Sequence, residues 1–86
     1  MKRQVQSRWN YRVLAFAEKD ELLFEVCRVY YDDGKPTGYT ENPRVCGETK
    51  KEIRWTLRHM RKALRKPILW GGERFPEAFN AWNTTH

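Results

Sequence analysis

Two cysteines, two histidines and the lack of any long apolar run put several classes of protein out of reach of this chain. Cys27 and Cys46 are too few for a disulfide framework and lack a CxxC spacing, which predicts a reducing, cytoplasmic setting. One Cys27 to Cys46 disulfide stays open. A metal centre wants three or four ligands at recurring spacing, whereas Cys27, Cys46, His59 and His86 are scattered, so no metal is expected. No cofactor is expected either, because Gly71-Gly72 lacks the spacing and the terminal Lys-Ser/Thr of a phosphate loop. The absence of about 18 consecutive apolar residues excludes a transmembrane helix. Residues 1–8 are polar, without the hydrophobic stretch of an export signal, and are expected to be flexible. Cys27 or Cys46 could be drawn beside His59 as a nucleophilic pair, but no orienting residue is visible. Asp32 and Asp33 precede Gly34 and serve a turn more simply than an acid pair. A non-enzymatic protein is the expectation.

What the chain has in excess is positive charge in one place. Residues 50–66 hold eight Lys or Arg against the single acid Glu52, a local balance of +7 where the whole chain carries +6. The rest is nearly neutral, so the field is local. At about 100° per residue, with Ile53 as zero, Leu57, Met60 and Leu64 fall within roughly 40°, while Arg54, Arg58, Arg61 and Arg65 cluster at about 80° to 140°. This predicts a helix over residues 50–66 that buries Ile53, Leu57, Met60 and Leu64. Lys50, Lys51, Lys62 and Trp55 widen the arginine stripe, and Trp55 lies with His59 and Lys66 away from that apolar face. Thr49 and Glu52 read as a capping box, with the carboxylate returning to the cap residue's own N–H, and Pro67 stops the helix.

Between residues 9 and 46 the period changes to two. Trp9, Tyr11, Val13 and Ala15 alternate with Asn10, Arg12, Leu14 and Phe16, a strand whose first set is expected to meet the helix. Leu14 and Phe16 either cover the opposite face or re-enter the core through a twist or bulge. Residues 17–21 form a turn, residues 22–31 a second strand, Asp32-Asp33-Gly34-Lys35 a hairpin turn, and residues 36–40 a short third strand limited by Pro36 to an edge or a start. Asn42-Pro43 and Gly47 mark the connection into the helix. Beyond Pro67, Ile68, Leu69 and Trp70 make a short apolar run, and Phe75, Phe79 and Trp82 are spaced for one face of a short terminal helix begun at Pro76. Twelve aromatic residues in so small a chain favour docking of this segment on the domain or contact with another subunit.

The expected fold is therefore α+β. A three-stranded antiparallel meander packs on one long basic amphipathic helix, in a single domain over residues 9–86, with residues 68–86 as a docked aromatic extension. The segments Trp9-Asn10-Tyr11-Arg12-Val13, Val29 through Pro36, Gly38 through Pro43, Glu52 through Leu57, and Lys66-Pro67 together resemble a family of small uncharacterised bacterial proteins. That resemblance covers residues 9–69 and implies no activity, cofactor or partner. In element order alone the chain also resembles double-stranded RNA-binding domains, which place a basic helix after a three-stranded meander. Lys50-Lys51 echo the lysines of their final helix, whereas the helix that precedes their meander has no counterpart before Trp9.

The basic face sets the functional expectation. Lys51, Arg54, Trp55, Arg58, Arg61, Lys62 and Arg65 are the candidate binding residues, facing an acidic protein surface. The alternative is nucleic acid, with the cations on phosphates and Trp55 against a base or sugar. A third reading is a homo-oligomer, joined through the sheet or the aromatic tail, whose basic face is merely solvated.

Overall fold

The computed structural model describes residues 8–41 and 43–79. Asn42, Trp82 and His86 lie outside that span. β1 (Arg8–Glu18) and β2 (Glu21–Asp32) pair antiparallel along their whole length, and β3 (Lys35–Thr40) pairs antiparallel with β2. Both connections are two-residue turns. Lys19 holds φ 54°, while Asp33 and Gly34 hold 56° and 79°, the two left-handed residues that a type I′ hairpin needs to match strand twist. α1 (Lys50–Lys62) follows and runs into a 3-10 turn, Ala63–Arg65, so the helix tightens before the residue 66 terminus expected for it. β4 (Leu69–Trp70) then joins β1 in parallel, opposite Leu14 and Ala15.

The fold is α+β, but its sheet is four-stranded and mixed, in the order β3-β2-β1-β4, not a three-stranded antiparallel meander. A two-residue strand is too short for any period to reveal. It is held instead by backbone bonds on both sides: Gly71 N–H donates to the Ala15 carbonyl at 2.8 Å, and Trp70 N–H donates to the Glu77 carbonyl at 2.8 Å. No terminal helix begins at Pro76. Gly72–Arg74 forms a 3-10 turn, Pro76 lies in a turn, and Ala78 makes a β-bridge to Leu69. Phe75 packs against the core and meets Tyr39 with ring centroids 4.8 Å apart, while Phe79 meets Phe24 at 5.4 Å and Trp70 at 5.1 Å.

Both faces of β1 are buried, each by different partners. On one face Leu14 joins Cys27, Val29 and Leu69, with Phe16, Tyr31, Tyr39 and Phe75 around them. On the other, Tyr11 and Val13 meet Ala63, with Val26, Met60 and Ile68 alongside. Leu14 and Val29 have no exposed surface, and burying each such side chain stabilises by about 1.5–3 kcal/mol. The even residues of β1 thus build a second core of their own.

The helix buries only part of the face expected of it: Met60 packs against the Tyr11 and Val13 cluster and Ile53 is half-buried, but the two leucines are not covered. Leu57 is 52% exposed and Leu64 72%, whereas Thr56 and Ala63 are buried. The chain after α1 must reach β1 within a few residues to form β4, and only a methyl group at position 63 lets it come so close. Arg12 fixes that exit by donating from Nη2 to the Pro67 carbonyl at 2.7 Å. The helix is consequently rotated towards its Trp55 and His59 side. Its start follows the cap more faithfully: Thr49 Oγ1 accepts from Glu52 N–H at 3.1 Å, although the Glu52 carboxylate accepts from Glu48 N–H at 2.8 Å instead of returning to Thr49.

Two pairs of variants test this arrangement by thermal unfolding. Gly71 is buried, and a Cβ there would run into the Phe16 ring, whereas a Cβ at Gly38 meets nothing within 4 Å. Gly71→Ala is expected to cost about 1–3 kcal/mol, and Gly38→Ala to stay within about 0.5 kcal/mol of the parent. Ala63→Asp buries an unpaired charge and should cost about 3 kcal/mol or more, while Leu57→Asp, at an exposed site, should cost less than about 1 kcal/mol. The opposite order for the second pair would mean that the helix buries its leucine face.

Candidate functional site

With Thr56 as zero at about 100° per residue, α1 divides into three bands outside its buried seam. Trp55 and Lys62 lie about 100° to 120° round on one flank, Arg54, Arg58 and Arg61 form the crest at about 140° to 200°, and Leu57 lies about 100° round on the other flank. Lys51, Arg54, Trp55, Arg58, Arg61, Lys62 and Arg65 are all exposed. Among the described residues the ion pair formed is Arg74 with Glu77 at 3.2 Å, so the helix cations stand without a contacting carboxylate. Their field is left available to an external anion.

The rotation of α1 opens a groove between its Trp55 flank and the start of β1. Trp9, Asn10 and Tyr11 line one side of it, and Trp55, His59, Lys62 and Lys66 the other, around about 350 Å³. Two of the seven expected contact residues, Trp55 and Lys62, thus gain partners from a distant strand. The remaining five lie on the open surface of the helix and its terminal turn. Sequence reasoning missed Trp9 because alternation placed it beneath the helix, and Asn10 because it sits on the other face of the strand. His59 and Lys66 were visible only as neighbours of Trp55 on the helical wheel.

Each indole in the groove is backed on one side. The His59 ring stacks on Trp55 with centroids 3.8 Å apart and planes 27° from parallel, and it is held there by its Nδ1, 2.8 Å from the Trp55 carbonyl. A carbonyl only accepts, so Nδ1 carries the proton in that contact. Trp9 meets the edge of Tyr11 at 5.2 Å, and the Arg28 guanidinium lies 4.2 Å from its ring centroid. Trp55 is 47% exposed and Trp9 38%, which leaves aromatic surface on both for a ligand. Side chains braced in this way lose little rotamer freedom on stacking, and a flat π-system between flanking cations suits planar, anionic ligands.

A hydrogen-bonded chain lies on the other face of the sheet, beside Cys27 and Val29. Arg12 Nη1 donates to Tyr31 Oη at 2.7 Å, and Tyr31 Oη donates to Asn10 Oδ1 at 2.9 Å. The remaining chemistry-bearing groups are set apart from the groove. Cys27 lies on the sheet face opposite α1, so the sheet separates it from His59. Both cysteines are free, Cys27 buried and Cys46 exposed. Among the described residues no three metal-ligating side chains come together, and no helix is long and apolar enough to cross a membrane.

Comparison with protein-family models, with curated proteins and with solved structures finds no match to this chain.

The thiols supply a check on the site's surroundings. Burial pushes the Cys27 thiol up from its ordinary 9.0 to about 12, helped by the carboxylates of Glu25 and Glu41. A value raised on folding means that the share of stability from the neutral buried thiol is complete below about pH 9 and is lost as pH rises towards 12. Iodoacetamide at pH 8 should therefore modify Cys46 within minutes and Cys27 only after denaturation, as mass spectrometry of peptide digests would show. Modification of Cys27 at the rate of Cys46 in the folded protein would contradict the two-faced core.

Proposed function

We propose that the protein is a non-enzymatic accessory protein that binds single-stranded nucleic acid, with the arginine crest on phosphates and the groove on an unpaired base. The observation that carries this reading is the pairing of two exposed, braced indoles with Lys62 and Lys66 in one groove beside the unneutralised crest. An anionic protein surface asks only for cations. Open aromatic faces at the same place favour a ligand that alternates charge with flat rings, and base stacking on such a face contributes about 1–3 kcal/mol per base. Duplex nucleic acid, whose bases are already stacked on one another, would leave the groove unused. In this reading Lys51, Arg54, Arg58, Arg61 and Arg65 supply affinity without sequence preference.

A second reading draws on a different flank. Leu57 and Leu64 are exposed beside the same arginines, an apolar strip next to cations that would fit an acidic amphipathic segment of another protein.

Salt-titrated binding to eight-nucleotide single strands, to duplexes and to polyglutamate separates the two. Single strands should bind most tightly, and Trp55→Ala should weaken them about fivefold or more while leaving polyglutamate binding little changed. Arg58→Glu and Arg61→Glu should each flatten the dependence of log affinity on log salt by about 0.7. Equal binding by wild type and all three variants at moderate salt would sink the proposed interface. Tighter binding to polyglutamate than to any oligonucleotide would favour the acidic partner.

A further inference from the structure

We infer that the start of β1 is a strand-addition site for an extended acidic peptide segment of another protein, which extends the sheet beside Trp9 and Tyr11. The inference goes beyond the single-strand reading and does not depend on it. Along a strand, each residue turns its N–H and C=O to the same neighbour, and the direction alternates from one residue to the next. The Ala15 carbonyl accepts from Gly71 on the β4 side, so Trp9 and Tyr11, of the same parity, turn their backbone groups to that side as well. β4 reaches no further back than Leu14, so among the described residues no strand meets them. The groove lies against this edge. Asn10 lines it although its side chain is turned to the far face and held by Tyr31, which leaves its main chain as the part that borders the groove.

Cations flank the edge on both faces. Lys62 and Lys66 line the groove on the α1 side, and Arg8 and Arg12 alternate onto the other side of the strand. Among the described residues no carboxylate lines the groove. An added strand sends successive side chains to opposite faces, so acids at either parity meet a cation while the backbone supplies the ladder. A second copy of this chain fits worse. Antiparallel pairing of two such edges keeps both helices on one face of the joined sheet and turns Lys62 and Lys66 of each towards those of the other, a like-charge contact. A polynucleotide has the charge but no run of N–H and C=O groups with which to continue the sheet. Side chains of the added strand that face α1 enter the groove, so peptide and base exclude one another there.

Hydrogen exchange of the full-length protein, read by NMR at single amides, tests the ladder. The probe is a capped heptapeptide of alternating glutamate and valine. At saturation it should slow the Trp9 and Tyr11 amides by about tenfold or more and leave Asn10 and Arg12, whose amides already bond to β2, unchanged. Trp9→Pro removes the N–H and the indole, whereas Trp9→Ala removes the indole alone, and neither touches a bond to β2 because the Trp9 backbone faces away from it. The proline variant should bind the peptide about threefold to tenfold more weakly than the alanine variant, the range that one net hydrogen bond provides. Should Trp9→Pro fold poorly, N-methylation of the peptide at one parity or the other carries the test, and only one parity should lose binding. Absence of peptide binding at low salt, or binding that leaves both amides unprotected, would overturn the inference. So would protection of the same two amides in the dilute free protein, by a rise in protein concentration alone, or by an oligo-dT octamer, since each gives the edge to another occupant. Binding of single strands to the crest and groove can hold or fail independently of all these results.

Discussion

Ala63 places nothing larger than a methyl group between the end of the helix and Tyr11 and Val13 of the first strand. That close approach governs the rest of the molecule. A larger residue would hold the chain away from the sheet, and residues 66–68 are too few to span a wider gap and still lay Leu69 beside Leu14. Once the helix is drawn in at this end, its rotation follows, and the rotation decides what each flank carries. Trp55 and Lys62 turn towards the first strand and make a groove with it, the arginines ride on top, and Leu57 and Leu64 are turned out into water. The site is therefore a by-product of how the helix is joined to the sheet. No residue in the groove needs to be strained to produce it.

The strand that receives the helix is a structural divide as well as a support. Alternate residues of β1 enter two cores, and Arg12 links the two sides by reaching Tyr31 with one nitrogen and the Pro67 carbonyl with another. A charged side chain half buried in this way keeps both its bonds or loses a good deal of stability, since unmade hydrogen bonds to a desolvated guanidinium are costly. The same residue thereby ties the path of the chain after the helix to the Tyr31 and Asn10 side chains on the far face of the sheet.

Much of this was legible in the residues, and the parts that were not failed for physical reasons. Thr49 marked the helix start because a cap is a local event, and Asp33-Gly34 marked its turn because only certain residues tolerate left-handed backbone. Helical periodicity identified the arginine crest, since charge avoids burial wherever the helix points. It placed Met60 against Tyr11 and Val13 but misassigned Leu57 and Leu64, because these outweigh Thr56 and Ala63 on any hydropathy wheel, while close packing rewards small residues. Leu69 and Trp70 were too short a run to show as a strand. The groove could not be read at all: Trp9 and Trp55 are 46 positions apart, and nothing local to either announces the other.

The two edges of the sheet are unequal. Beside β4 the chain doubles back, and Ala78 closes that side with bonds between Trp70 and Glu77 and between Phe79 and Ile68. At the other side β3 is short, carries Pro36, and is paired to β2 through a register shift at Tyr30 and Tyr31. β4 reaches only Leu14 and Ala15, so among the described residues the start of β1, residues 8–13, is left without a strand on that side, the kind of open edge to which a further strand can add. Of the sheet's backbone, the stretch beside the helix's exit is thus the part kept open, while the far end of the same strand is closed off by the chain that follows the helix.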